Sequence, residues 1–138
     1  MRKNSRWNRC LLIPFLPTML LGGCKGTPAY QGNQRDILAT YRVRRLSAEL
    51  PSTVRVPAAV AAAKAALLQR GYAITSASTT EDSGQVEAAP ADAGLFESIS
   101  IDIRQSSRGT RVQIIAEPIG NQTKSRAILD AMLTELGL

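Results

Sequence analysis

The chain contains no histidine, only two cysteines and few aromatic side chains, which make up 4% of its 138 residues. Without histidine, a Ser-His-Asp triad, a Cys-His pair and a His-ligated metal site are all excluded. Two cysteines are too few for a cysteine-rich zinc site or for a framework of several disulfides. The low aromatic content excludes the stacking platforms of single-strand nucleic-acid binders. We therefore expect no catalytic residue, no metal, no cofactor and no nucleic-acid partner.

The amino terminus carries basic residues and no acidic residue before an apolar run over residues 10–21. The run is shorter than the roughly 20 residues that a membrane-spanning helix needs, and Pro14 and Pro17 would kink it. A basic segment followed by a short apolar run is typical of a signal peptide. We therefore predict an export signal over residues 1–23, whose basic residues are Arg2, Lys3, Arg6 and Arg9.

The apolar run ends in Leu21-Gly22-Gly23-Cys24, which resembles the lipobox of bacterial lipoprotein precursors. In that motif, small residues let the backbone enter a peptidase cleft, and the cysteine thiol accepts diacylglycerol. The resemblance implies cleavage between Gly23 and Cys24, lipid attachment at Cys24 and acylation of the new amino terminus. Gly22 departs from the motif, which more often has Ala, Ser or Thr there. The alternative is an ordinary signal peptide with a chance cysteine.

Lys25 follows the predicted lipidated cysteine. In lipoproteins of Gram-negative enteric bacteria, Asp at this place retains the protein in the inner membrane, so its absence predicts an outer-membrane lipoprotein that faces the periplasm. Cleavage would remove four of the 17 Lys and Arg residues and none of the 11 Asp and Glu residues, so the net charge falls from +6 to +2. That remaining charge does not favour a nucleic-acid partner.

Residues 24–39 are predicted to form the lipidated cysteine and a flexible tether, because they are polar and contain Gly26, Pro28 and Gly32. A flexible coil of this length spans about 20 Å. The tether would join the lipid anchor to one domain over residues 40–138, a length that suits a single domain.

The domain shows a strand, a helix, four strands and a second helix. Leu46, Ala48 and Leu50 alternate with polar residues, which predicts a strand that Pro51 ends, with Arg44 and Arg45 marking a bulge or its true start. Strong helix formers over residues 58–70 follow Pro57 and precede Gly71, a residue suited to a helix end. Further strands are predicted over 72–77, 85–89, 95–104 and 110–117, and a helix over 122–136 after the N-cap Asn121.

These elements predict an α+β fold, with a single mostly antiparallel sheet and two helices packed on one face, in the order β-α-β-β-β-β-α. Their short patterns resemble those of a family of small bacterial lipoproteins of unknown function. Asn121 stands where that family usually has Asp. The resemblance implies the fold and brings no activity with it. The matching residues are Leu46, Ala48, Leu50, Ala66, Leu67, Gly71, Thr110, Arg111, Val112, Gly120, Asn121, Ser125, Ile128, Leu129 and Met132.

Basic residues close to the predicted anchor are expected to contact the membrane surface. Anionic lipid head groups or lipopolysaccharide phosphates would attract them. The alternative is a solvated edge strand whose arginines discourage pairing with another sheet. The predicted contact residues are Lys25, Arg35, Arg42, Arg44 and Arg45.

The polar face of the two best strands is a second candidate surface, which would dock an envelope protein or a glycan. The alternative is a solvated face with charge pairs such as Asp102 with Arg111. The acidic pairs Glu81 with Asp82 and Asp92 with Glu97 could in principle act in catalysis, but all of them except Glu97 are better explained by turn formation. Glu97 is expected at the frayed start of a strand. We therefore expect a non-catalytic docking or structural module, with a binder of a lipid or glycan ligand as the alternative. The residues of the polar face are Ser98, Ser100, Asp102, Arg104, Arg111, Gln113 and Glu117.

Overall fold

The computed structural model describes residues 26–92 and 97–138, which form one open sheet of seven antiparallel strands and two helices. The strand order is β1-β2-β3-β7-β6-β5-β4. The predicted α+β class is confirmed. The elements are β1 (Thr27–Gln31), β2 (Ile37–Arg42), β3 (Arg45–Leu50), α1 (Val56–Gln69), β4 (Tyr72–Thr79), β5 (Ser83–Pro90), β6 (Ser98–Ser106), β7 (Gly109–Glu117) and α2 (Gln122–Glu135).

The predicted element order was wrong before the first helix, because three strands precede α1 instead of one. Residues that were assigned to a flexible tether form β1 and the first half of β2, and β1 pairs with β2 along its whole length. Of the two alternatives for Arg44 and Arg45, the true start of the strand is correct and the bulge is wrong, since β2 ends at Arg42 and β3 begins at Arg45. Leu95 and Phe96, with which the third of the four central strands was expected to begin, lie outside the described residues.

Both helices have the ends that the sequence predicts. The side chain of Asn121 accepts a hydrogen bond from the backbone nitrogen of Lys124 at 2.9 Å, which confirms Asn121 as the N-cap of α2. Gly71 follows α1 with a φ of +82°, a conformation that costs glycine little. Neither helix in the described part of the chain is long and apolar enough to cross a membrane.

The core lies between the sheet and the helices. Helix α1 packs against β4, β5 and β6, helix α2 packs against β1, β3 and β7, and the two helices contact each other. Gly84 on β5 lets α1 approach the sheet closely, because a Cβ atom at this position would overlap the side chain of Val60 on α1. The largest fully buried side chains are Leu46, Leu50, Val56, Leu67, Ile99, Ile101, Ile103, Ile114, Ile128, Leu129, Met132 and Leu133. Burying each such side chain contributes about 1.5–3 kcal/mol to stability.

The antiparallel strands give the sheet two distinct ends. We call one the hairpin end, which comprises Gly26, the turn between β2 and β3, and residues 118–120 after β7. The opposite end comprises the loop over residues 32–36, the turn over residues 80–82 and the turn over residues 107–108. At about 3.3 Å per residue, the six residues of β2 separate the two ends by about 20 Å.

Candidate functional site

The described chain begins at a corner of the sheet, at the hairpin end. A Cβ atom at Gly26 would lie 2.6 Å from Thr40 Cγ2 and 3.2 Å from Arg42 Cβ, so the backbone here passes close to β2. Thr27, the next residue, pairs with Tyr41. The chain is therefore held against β2 from the second residue after Cys24 onward.

A side-chain network from α2 holds β1 in place, and no sequence pattern indicated it. The Arg126 guanidinium donates hydrogen bonds to the carbonyl oxygen of Thr27 at 2.7 Å and to Gln31 Oε1 at 3.1 Å. Gln31, which is 6% exposed, donates in turn to Asp130 Oδ1 at 2.8 Å. These partners are more than 90 residues apart in the chain, so no local pattern could have indicated them.

The turn between β2 and β3 combines three arginines with an exposed valine. Arg42 and Arg45 stand directly opposite each other, and Val43 and Arg44 form the turn between them with φ angles of 46° and 65°. Asn-Gly is the sequence that adopts this conformation most easily, whereas a β-branched residue is strained there by about 1–2 kcal/mol. Val43 is 77% exposed, so no packing compensates that strain.

The loop after β7 packs against this turn. Arg44 Nη1 donates a hydrogen bond to the carbonyl oxygen of Pro118 at 2.7 Å. A Cβ atom at Gly120 would lie 2.6 Å from both Arg44 Cβ and Tyr41 Oη, so only glycine fits this approach. Ile119, which lies between Pro118 and Gly120 in the chain, is 81% exposed. The hairpin end therefore presents two exposed apolar side chains, Val43 and Ile119, beside three arginines.

The structure brings together only some of the residues that were predicted to contact a membrane. Arg42, Arg44 and Arg45 are exposed and share the hairpin end. Arg35 does not join them, because it lies in the loop between β1 and β2 at the opposite end. The predicted cleavage and lipidation residues Gly23 and Cys24, and also Lys25, lie outside the described residues.

The predicted polar face exists on β6 and β7. Its seven side chains are all exposed or half-exposed, and they alternate with the buried ones. A shallow depression of about 440 Å³ lies on this face, between Arg45 on β3, Asp102 and Arg104 on β6, and Arg111 and Gln113 on β7. Arg45 joins the face because β3 pairs with β7, a neighbour relation that no sequence pattern predicted.

The predicted ion pair between Asp102 and Arg111 was wrong. Asp102 stands opposite Gln113, and Arg111 stands between Arg104 on β6 and Glu49 on β3. Arg111 Nε donates to Glu49 Oε1 at 2.7 Å, and Ser106 Oγ donates to Glu49 Oε2 at 2.8 Å. The partly exposed pair contributes about 0.2–1 kcal/mol.

The two acidic pairs considered from the sequence lie in different surroundings. Glu81 and Asp82 occupy the exposed turn between β4 and β5. Glu97 forms an ion pair with Lys124 of α2. In the described part of the chain, no group of three or more carboxylates or cysteines is placed to hold a metal ion.

One tyrosine near this ion pair has a perturbed acidity. Burial raises the pKa of the Tyr72 hydroxyl above its usual value, and the nearby positive charge of Arg70 opposes that rise. Tyr72 and Arg70 line an open surface depression together with Asp92, Glu97 and Lys124. A tyrosine hydroxyl is already protonated near neutral pH, and the upward shift favours the same form, so Tyr72 adds no charge to this surface.

No protein-family model matches the chain, and no curated protein matches it.

Proposed function

We propose that the chain is a lipid-anchored lipoprotein of the bacterial cell envelope, facing the periplasm from the outer membrane and acting as a non-catalytic docking module. The observation that carries the proposal is the short distance between the lipobox-like segment and the fold. Residues 21–24 read Leu-Gly-Gly-Cys, and two residues later Gly26 is packed against β2. Membership of the small bacterial lipoprotein family is part of the same proposal.

A domain with this arrangement would sit directly on its anchor. The hydrogen bond from Arg126 to the Thr27 carbonyl oxygen fixes the first strand to the domain. Because residues 27–31 form β1, they are not part of a flexible tether. This placement suits a module that docks a neighbour close to the membrane surface rather than at the end of a long tether.

We infer that α1 and α2 cover one face of the sheet and leave its polar face open. The contacts of α1 with β4 to β6 and of α2 with β1, β3 and β7 support this arrangement, as do the buried residues at alternate strand positions. The open face offers Asp102, Arg104 and Gln113 in a shallow depression suited to a polar protein surface.

The packed core makes a ligand site between the sheet and the helices the less favoured alternative. Leu67 of α1, Ile128 of α2 and Ile101 of β6 are 0% exposed and belong to one continuous hydrophobic cluster. A lipid between these layers would have to separate side chains that already contact one another. Close-packed interiors resist such separation.

Metabolic labelling with a radioactive fatty acid tests the anchor. The expected result is labelled protein from the natural sequence and no label in the Cys24→Ser variant. Cys10→Ser is the matched control, because Cys10 is the other cysteine and lies in the predicted signal peptide. Label that persists in Cys24→Ser would contradict the proposal.

Site-specific photocrosslinking in intact envelopes tests the docking role. A photoreactive amino acid at Gln113 samples the polar face, and one at the exposed Lys64 of α1 serves as control. We expect a discrete crosslinked protein from position 113 that is absent from position 64. Equal or absent crosslinking at both positions would contradict docking through the polar face.

A further inference from the structure

We propose that the hairpin end is the membrane-contacting surface of the domain, with Val43 and Ile119 inserted among the head groups and the three arginines bound to anionic phospholipid phosphates. The proposal rests on the lipid anchor proposed above and adds an orientation to it. It also selects among the basic residues, because it includes Arg42, Arg44 and Arg45 and excludes Arg35.

The first support is the place where the chain joins the fold. Gly26 lies two residues after Cys24 and packs against Arg42 of the hairpin. Two extended residues span at most about 7 Å. A lipid on Cys24 would therefore keep this corner of the sheet within about 7 Å of the head groups, whereas the opposite end lies about a strand length away from this corner.

The second support is charge. Arg42 and Arg45 stand directly opposite each other, and like charges in such a pair repel. Glu117 of β7 lies two residues after Ile115, which stands opposite Arg45, and offsets one of the three positive charges. The hairpin therefore keeps a net positive charge, and an anionic surface would relieve the repulsion between its arginines.

The third support is the exposed apolar pair. Val43 is 77% exposed on a strained backbone, and Ile119 is 81% exposed on the adjoining loop. Neither side chain packs against the core, so fold stability does not explain their presence. Apolar side chains flanked by arginines are typical of segments that lie in the membrane interface, where the long arginine side chains reach the phosphates.

The opposite end lacks this combination. Its loop between β1 and β2 places Arg35 next to Asp36, its turn between β4 and β5 carries Glu81 and Asp82, and its turn over residues 107–108 carries Arg108, so its acidic residues outnumber its basic ones by one. An anionic surface would repel these carboxylates. The hairpin end is therefore more positive than the opposite end, as the proposed orientation requires.

Spin labelling of the complete lipoprotein in vesicles tests the orientation. After lipidation of Cys24 and removal of Cys10, an introduced cysteine would be the only free thiol. We would place a nitroxide at Val43→Cys and, as the matched control, at Gln34→Cys in the exposed loop of the opposite end. The vesicles contain phosphatidylcholine with phosphatidylglycerol, and collision with oxygen or with a water-soluble nickel chelate reports depth.

We expect the label at position 43 to collide preferentially with oxygen and the label at position 34 with the nickel chelate. Replacing Arg42 and Arg45 by Gln would shift the equilibrium toward a detached orientation by about fivefold for each arginine. Replacing the exposed Arg55 and Arg108 by Gln, as a control of equal charge, would leave the label at position 43 in place.

Equal nickel accessibility at positions 43 and 34, or deeper burial of position 34, would overturn the proposed orientation. In that case the protein would still be lipidated and bound to the vesicles, so the anchor would stand. A protein that carries no fatty acid and stays off the vesicles would instead contradict the proposed function, and with it the orientation.

Discussion

The guanidinium group of Arg126 in α2 donates a hydrogen bond to the carbonyl oxygen of Thr27 in β1 at 2.7 Å. Thr27 is the third residue after Cys24, so this bond ties the carboxyl-terminal helix to the point where the chain joins the fold. The same guanidinium also donates to the Ala39 carbonyl oxygen at 3.3 Å and so joins β1, β2 and α2.

Removing this guanidinium should loosen β1. We expect Arg126→Ala to lower the free energy of unfolding by about 2 kcal/mol, because several charge-assisted hydrogen bonds are lost and Gln31 loses a donor. Urea denaturation measures the change. Arg108→Ala, at an exposed turn, should change stability by less than about 0.5 kcal/mol. Similar losses in both variants would show that the network does not hold β1.

Two glycines with positive φ should respond differently to alanine. A Cβ atom at Gly109 would overlap the Leu50 carbonyl oxygen, whereas one at Gly71 would meet nothing within 4 Å. We expect Gly71→Ala to cost about 1 kcal/mol through backbone strain alone, and Gly109→Ala to cost about 3 kcal/mol or more. Thermal unfolding compares the two, and equal costs would contradict the close approach of β7 to Leu50.

The N-cap of α2 should tolerate Asp and not Ala. Asn121→Ala removes the acceptor for the Lys124 backbone nitrogen and should cost about 1 kcal/mol. Asn121→Asp keeps that acceptor and adds a negative charge at the helix amino terminus, so stability should be unchanged or slightly higher. Denaturant titration of both variants is the check, and an unchanged stability of Asn121→Ala would rule out a capping role.

The turn between β2 and β3 should become more stable when its valine is replaced. Val43→Asn should raise the free energy of unfolding by about 1 kcal/mol, because Asn tolerates the left-handed conformation better than a β-branched residue. Val43→Thr keeps the branched Cβ and should leave stability nearly unchanged. Both variants lose apolar surface, so both should weaken membrane contact. If Val43→Thr stabilised the protein as much as Val43→Asn, the branched Cβ at position 43 would not be the source of the strain.

The elements with strong local signals could be predicted from the sequence. Alternation along β6 and β7, helix formers between Pro57 and Gly71, and the N-cap at Asn121 each gave the correct element within a few residues. In these segments, local propensity and tertiary packing favour the same conformation.

The first strand could not be predicted in this way. Residues 27–31 read Thr-Pro-Ala-Tyr-Gln and lack a clear alternation of apolar and polar residues. They are ordered by pairing with β2 and by Arg126, about a hundred residues away, and local patterns do not record such contacts. The partner of Arg111 was missed for a related reason, because Glu49 reaches it only through the pairing of β3 with β7.

The lipid anchor at Cys24 is the central claim, and intact-mass spectrometry of the protein purified from membranes tests it most directly. The account predicts a chain of residues 24–138 whose mass exceeds that of the polypeptide by a thioether-linked diacylglycerol and an amide-linked acyl chain. A chain that begins elsewhere, or one with an unmodified Cys24, would contradict the account.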